Sequence, residues 1–270
     1  MLKQRFITGI ILAPLVIAGF VLLNSLWFAV MVGGIVSLAA WEWARLAGIQ
    51  AQAGRVVYAV VVALLLIGLY LDTSPAHFML WIALCWWILA TVMILRYPEG
   101  DRLWSNALAR LYGLLVLLPA WCGLVWLRAQ DGGLWLLLAV VVMVWAADIG
   151  AYFAGKTFGR HKLLPRVSPG KTLEGLLGGI ALTQALAVLA MVYLGWTAQS
   201  ILIGMLGTLL VVLFSVVGDL TESLFKREQG LKDSSNLLPG HGGIMDRIDS
   251  LAAAIPLFAL GWYLFGSQLG

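Results

Sequence analysis

The chain has 270 residues, of which 62% are hydrophobic and only 11% charged, with a mean hydropathy of +0.96. These values exclude an ordinary soluble domain and describe a chain that crosses a membrane repeatedly. The net charge of +4 and pI near 9.2 say little about nucleic acid, because no basic run is interleaved with aromatics and because topology and anionic lipid headgroups explain the basic excess.

An apolar run of about 18 residues is long enough to cross a hydrocarbon core of about 30 Å as a helix. Nine such spans are expected, at 6–23, 26–44, 56–71, 77–95, 108–127, 134–155, 173–194, 199–218 and 250–266. The fold expected is therefore an all-α integral membrane protein, a single membrane domain over 1–270. Its spans within 1–130 carry no chemical motif, and the helices of 134–266 carry polar loops at 156–171 and 220–249. The first run is long, lacks a small-x-small cleavage site and is followed by further spans, so it reads as a retained helix rather than a cleaved leader.

The second span holds Glu42 in W-E-W, an intramembrane carboxylate and so a functional candidate by default. Arg45, one turn on, is its expected partner in a structural pair. Trp27, Trp41, Trp43, Trp81, Trp86, Trp87 and Trp104 largely fall near span ends, where indoles anchor at the headgroup level. His77 reads as a surface residue on the opposite side. Cys85 and Cys122 lie inside apolar spans with no C-x-x-C spacing, which suggests neither a disulfide framework nor a zinc site.

Asp148 stands in the sixth span, in W-A-A-D-I-G-A-Y, about two turns before its inner end. A carboxylate at that depth is costly unless paired, hydrated or bound to metal. Tyr152 and Gly155 share its face at i+4 and i+7. Lys156 to Lys171 then holds five basic residues and no acid, a composition suited to phosphate, and the helix starting near Thr172 offers free N–H groups. The P-G-K-T at its end is not a P-loop, because Pro165 occupies the position where that motif needs glycine. Gly175 and Gly179 form a G-x-x-x-G that close helix packing explains.

Residues 219–249 hold six of the thirteen carboxylates and four of the seventeen Lys and Arg. On a helix, Asp219, Glu222, Ser223 and Lys226 fall at i, i+3, i+4 and i+7, on one face. Gly230 ends that helix, and Ser234 through Gly243 supplies the residues of a tight loop. Asp246 and Asp249 follow at i and i+3 in or just before the first turn of the last span. Two carboxylate pairs joined by a glycine loop can converge on Mg²⁺, which prefers hard oxygen ligands and leaves positions open for phosphate. Sixteen of the seventeen Lys and Arg fall on one side of the nine-span topology and only Arg128 on the other, which puts the N-terminus and all these polar groups on the cytoplasmic side.

Three segments of this window, Ser223-Leu224-Phe225-Lys226-Arg227, Lys232-Asp233 and Pro239-Gly240-His241-Gly242-Gly243, together with Asp246-Arg247-Ile248-Asp249, resemble the signature of the phosphatidate cytidylyltransferases, or CDP-diacylglycerol synthases. The window shows no departure from it. Ser168-Pro169-Gly170-Lys171-Thr172, with Glu174, is also similar to a family motif, and the family carries an aspartate in a span equivalent to that of Asp148. The resemblance is densest from about residue 145 to 250. It implies transfer of the cytidylyl group of CTP to phosphatidic acid, giving CDP-diacylglycerol for phospholipid biosynthesis. For that reaction Mg²⁺ is expected at Asp219 and Asp246, with Asp148 and Asp249 as further or outer ligands and one cation or two. Lys171, Lys226, Arg227 and Arg247 would hold phosphates, with Ser168 and Lys232 also binding substrate and Ser223 and His241 completing the pocket. A homodimer in a bacterial inner membrane, with the site facing the cytoplasm, is the accompanying expectation.

Three other readings fit less well. An ion-coupled transporter would gather its carboxylates near the midplane and show an inverted repeat. CDP-alcohol phosphotransferases also cluster aspartates at a membrane face, but their D-x-x-D-G-x-x-A-R pattern is missing here. A scaffold that binds anionic lipid through a polybasic face would have no need of Asp219, Asp246 and Asp249.

Overall fold

A computed structural model describes residue 14 and residues 16–72, 76–98 and 105–268. Its helices are α1 Ser25–Leu46, α2 Gln52–Leu71, α3 Ala76–Arg96, α4 Asn106–Arg128, α5 Gly133–Phe158, α6 Leu173–Tyr193, α7 Ala198–Glu228 and α8 Met245–Phe265. Among the described residues, these eight are long and apolar enough to cross a membrane. They coincide with the second to ninth expected spans. Half of the first, 6–23, lies outside the described residues, and within the other half 16–22 are helical. Many large apolar side chains such as Val57, Leu64, Leu177 and Leu206 are exposed, as lipid-facing positions should be.

Helix ends follow local chemistry. Asn24, Ser105, Thr172 and Thr197 each cap a helix by accepting a backbone N–H with the side chain. Helix α7 runs ten residues past the apolar stretch, through Asp219 to Glu228. At about 1.5 Å per residue its 31 residues span about 46 Å, more than the roughly 30 Å of hydrocarbon. Its last turns therefore stand clear of the lipid interior, and Gly230, at φ +63°, stops it. Residues 160–172 are not wholly irregular, as a loop would be. Strands β1 Lys162–Leu164 and β2 Ser168–Thr172 pair antiparallel, Lys162 opposite Thr172 and Leu164 opposite Ser168.

Glycine sets the closest helix pairs. A Cβ on Gly179 would stand 2.6 Å from the Ala147 carbonyl oxygen, one on Gly150 2.6 Å from that of Gly178, and one on Gly175 3.0 Å from that of Ala151. Helices α5 and α6 thus meet backbone to backbone, as the G-x-x-x-G anticipates. Gly218 does the same for α7 against the α8 backbone at Asp249. This contact fixes the separation of the two helices that carry Asp219, Glu222, Asp246 and Asp249.

The indoles are corrected in part. Trp43, Trp86 and Trp87 are core residues at 2% exposure or less, with Trp43 Nε1 donating to the Ala109 carbonyl at 2.8 Å. For Trp43, hydropathy near a span end cannot tell a headgroup from a neighbouring helix; Trp86 and Trp87 stand at the middle of Ala76–Arg96, too far from either end to reach a headgroup. Trp27 and Trp81 are exposed, and Trp104 lies outside the described residues. His77 is exposed as expected, with its ring stacked on Tyr263 at 4.2 Å. Cys85 and Cys122 are both free thiols.

Candidate active site

The polar groups gather where the ends of α1, α5 and α7 meet the starts of α6 and α8. On α7, Asp219, Glu222, Ser223 and Lys226 share one face: Ser223 Oγ donates to Asp219 Oδ1 at 3.2 Å and Lys226 Nζ to Glu222 Oε2 at 2.6 Å. Across the helix pair, the same ammonium reaches Asp246 Oδ1 at 2.7 Å. Lys171, at the end of β2, pairs with Asp219 Oδ2 at 2.6 Å. One lysine from the hairpin and one from α7 therefore neutralise carboxylates on α7 and α8.

Two further aspartates join this field. Asp148 is within Coulombic reach of Asp219, Lys171 and Arg247, and Asp249 of Asp219, Lys171 and Lys226. Asp249 Oδ1 accepts the Ser250 N–H at 2.7 Å. Beside them, a cavity of about 420 Å³ opens between α5, α6 and α7. Asp148, Tyr152, Lys171 and Thr172 line its polar part, and Leu176, Val212 and Val216 part of its apolar wall. An apolar groove that ends at a carboxylate and an ammonium has the character of a site for an amphiphile with an anionic head.

The loop from Gln229 to Ile244 turns on Gly240 and Gly242, at φ +77° and +83°, and closes through the Leu238–Gly242 bridge. Asp246 organises it: its Oδ2 accepts from Ser234 N at 2.9 Å, Ser234 Oγ at 2.8 Å and Gly243 N at 2.8 Å. The expected pair of Glu42 with Arg45 is not formed. Glu42 instead accepts four hydrogen bonds from this loop and from the first turn of α8, while Arg45 Nη1 donates to the Ser234 carbonyl at 3.2 Å. The partners lie about 190 to 200 residues away in sequence, and no local spacing could have named them.

The remaining candidates are more peripheral. Arg227 Nε donates to the Val167 carbonyl at 3.3 Å, tying α7 to the hairpin. Arg247 and Lys232 are exposed, and Ser168 sits opposite Leu164 in the hairpin. His241 donates its backbone N–H to the Leu238 carbonyl, and its buried Nδ1 has no hydrogen-bond partner among the described residues. Glu174, in the first turn of α6, accepts from the backbone of Arg160 and His161 and meets His161 Nδ1 at 2.6 Å, so its charge occupies ground that the free N–H groups of that helix were expected to offer to phosphate.

The donor chemistry suits a hard divalent cation, since Asp148, Asp219, Asp246 and Asp249 offer only oxygen. Among the described residues, no three Asp, Glu, His or Cys side chains stand grouped as a metal cluster. Asp246 Oδ2 is saturated by the loop, so Oδ1, shared with Lys226, is the atom it can turn toward a cation.

Fold and site together define a class: an all-helical integral membrane protein with a cation and carboxylate cluster at one end of its bundle, beside an apolar groove. The comparison with known sequences narrows it. Residues 3–265 match the model described as the Cytidylyltransferase family, and the chain belongs to that family. It is 56% identical over 260 residues to the phosphatidate cytidylyltransferase of Pseudomonas aeruginosa, with 96% of each chain covered. It is 39% identical to the Haemophilus influenzae enzyme of that name over 289 residues, covering 97% of this chain and 99% of the relative. Against the Bacillus subtilis enzyme of the same name the identity is 32% over 262 residues, covering 94% and 95%.

Proposed function

We propose that this protein transfers the cytidylyl group of CTP to phosphatidic acid, releasing pyrophosphate and forming CDP-diacylglycerol for phospholipid synthesis. The observation that carries this reading is that Asp148 and Lys171, the latter paired with Asp219, line the polar part of an apolar groove between membrane helices. A lipid phosphate and a nucleotide can meet at such a place without either leaving its own phase.

The reaction joins two anions. A phosphate monoester oxygen of the lipid attacks the α-phosphorus of CTP, the bond to the β-phosphate oxygen breaks, and pyrophosphate leaves. Little covalent chemistry falls to the protein, so orientation and charge neutralisation dominate. Lys171 and Lys226 exchange their carboxylate partners in part for substrate phosphates. Arg247 and Lys232, exposed at the rim, hold the outer phosphates, and Ser168, Ser223, Arg227 and His241 complete the polar wall. Asp219 and Asp246 are proposed to hold Mg²⁺, with Asp148 and Asp249 as further ligands and a second cation accommodated. When bound, the ion supplies charge neutralisation on the triphosphate and polarises the phosphorus under attack. The charge asymmetry of the loops supports a site facing the cytoplasm, in a bacterial inner membrane. A homodimer belongs to this proposal, and a mass measurement in detergent tests it.

Purified protein in detergent, given labelled CTP and phosphatidic acid with Mg²⁺, should form a lipid-extractable labelled product. Asp246→Asn, which removes the charge that Lys226 faces, should abolish it. Wild-type product that needs no phosphatidic acid, or full activity in Asp246→Asn, would overturn the reading.

A further inference from the structure

Helix α8 begins without a cap of its own. Ile244 precedes its first residue and offers no side-chain acceptor, yet the helix carries Asp246 and Asp249 in its first turns. The acceptor comes from α1. Glu42, fully buried, receives Ile244 N at 2.9 Å and Ser235 Oγ at 2.5 Å on Oε1, and Met245 N at 2.6 Å and Ser234 Oγ at 3.1 Å on Oε2. A carboxylate facing the N–H groups of a helix start is favoured by both hydrogen bonding and the helix dipole.

The same contacts reach Asp246. Ser234, whose single hydroxyl proton is shared between Glu42 Oε2 at 3.1 Å and Asp246 Oδ2 at 2.8 Å, also gives Asp246 its backbone N–H, and Gly243 gives another. A Cβ on Gly243 would stand 2.6 Å from both oxygens of Glu42, so a larger residue there would have to displace the carboxylate. Arg45 holds the Ser234 carbonyl from the other side. The loop is thus clamped between α1 and α8, and the clamp fixes which oxygen of Asp246 is left facing Lys226.

We infer that Glu42 is a positioning residue for the transfer site: it caps α8 and holds the 234–245 loop so that Asp246 presents Oδ1 to the substrate side. This rests on the proposed cytidylyl transfer only for what the site does; the clamp itself exists without substrate. It also assigns a role to a segment of the chain that showed no motif.

Glu42→Gln tests it, since the amide keeps the shape but turns an N–H₂ toward backbone and hydroxyl donors. Misplacement of a reacting group by about 1 Å can cost on the order of 10²-fold in rate, so kcat should fall at least about tenfold while KM for CTP changes far less. Hydrogen exchange at the amides of 234–245, measured without substrate, should accelerate selectively. Trp43→Phe is the structural control: it removes the bond to the Ala109 carbonyl one residue along, and should lower the thermal midpoint while keeping kcat and loop protection. If Glu42→Gln does not fold, Ser235→Ala, which withdraws one donor from Glu42 without touching Asp246, should show the same selective loop exchange and a smaller fall in kcat. Wild-type kcat and wild-type loop protection in a folded variant would overturn the inference. Failure of the wild type to make any lipid product would count against the transfer reading alone, because loop exchange reads the clamp independently.

Discussion

Lys171 and Lys226 have the same chemistry in different surroundings, so replacing each by Met should separate stability from activity. Lys226 is 14% exposed and lies against Glu222 at 0% and Asp246 at 6%, whereas Lys171 and Asp219 are 25% and 31% exposed. Removing one partner of a buried ion pair leaves uncompensated charge and costs about 3–5 kcal/mol; losing a partly solvated pair costs at most about 1 kcal/mol. Glu222 Oε1 already has no hydrogen-bond partner among the described residues, so it offers no alternative relief. At about 2–4 °C per kcal/mol for a chain of this size, Lys226→Met should lower the thermal midpoint by about 6–20 °C and Lys171→Met by less than about 4 °C. Both should lose about 10²–10³-fold in turnover if each ammonium meets developing phosphate charge, the scale of removing one preorganised electrostatic contact. Thermal unfolding in detergent and CTP turnover on the same preparations provide the comparison. Equal midpoint shifts for the two variants, or an unshifted Lys226→Met, would refute the assignment of Lys226 to a buried carboxylate pair.

Gly179→Val places a branched side chain where a Cβ alone would stand 2.6 Å from the Ala147 carbonyl; α5 and α6 must part, at about 1–3 kcal/mol, which should lower the midpoint and raise KM for phosphatidic acid as the groove changes shape. Thr172→Ala removes the cap on Gly175 N and should cost about 1 kcal/mol, read as a small shift of the thermal midpoint. Chelation of divalent cations should stop product formation and Mg²⁺ should restore it; undiminished turnover in metal-free buffer would contradict the roles proposed for Asp219 and Asp246.

What the sequence made readable was local. The shared face of Asp219, Glu222, Ser223 and Lys226 follows from the helical period alone, and Lys226–Glu222 forms at i,i+4 as spacing dictates. The stop at Gly230, the loop of 234–243 and the start of α8 before Asp246 follow from glycine and charge placement. Contacts across the fold were not readable. The partners of Glu42 are set by how a loop returns to α1, and the pairing of Gly218 with the Asp249 backbone by how two helices dock. Trp43 is buried for the same reason: a window of hydropathy registers an apolar span end but not whether protein or headgroup covers it, while Trp86 and Trp87, at mid-span, face neighbouring helices. Spacing pairs Arg45 with Glu42 because one turn of helix is the only distance a single segment can measure, yet its guanidinium reaches a loop carbonyl at Ser234.

The central claim is that the cytidylyl group, and not a terminal phosphate, moves to the lipid. The direct measurement supplies the purified protein with phosphatidic acid and CTP labelled either at the α-phosphorus or at the γ-phosphorus, and counts label in the lipid extract and in released pyrophosphate. The account predicts that the α-label enters the lipid and the γ-label appears only in pyrophosphate. Label from the γ-position in the lipid, or α-label that stays water-soluble while CTP is consumed, would contradict it.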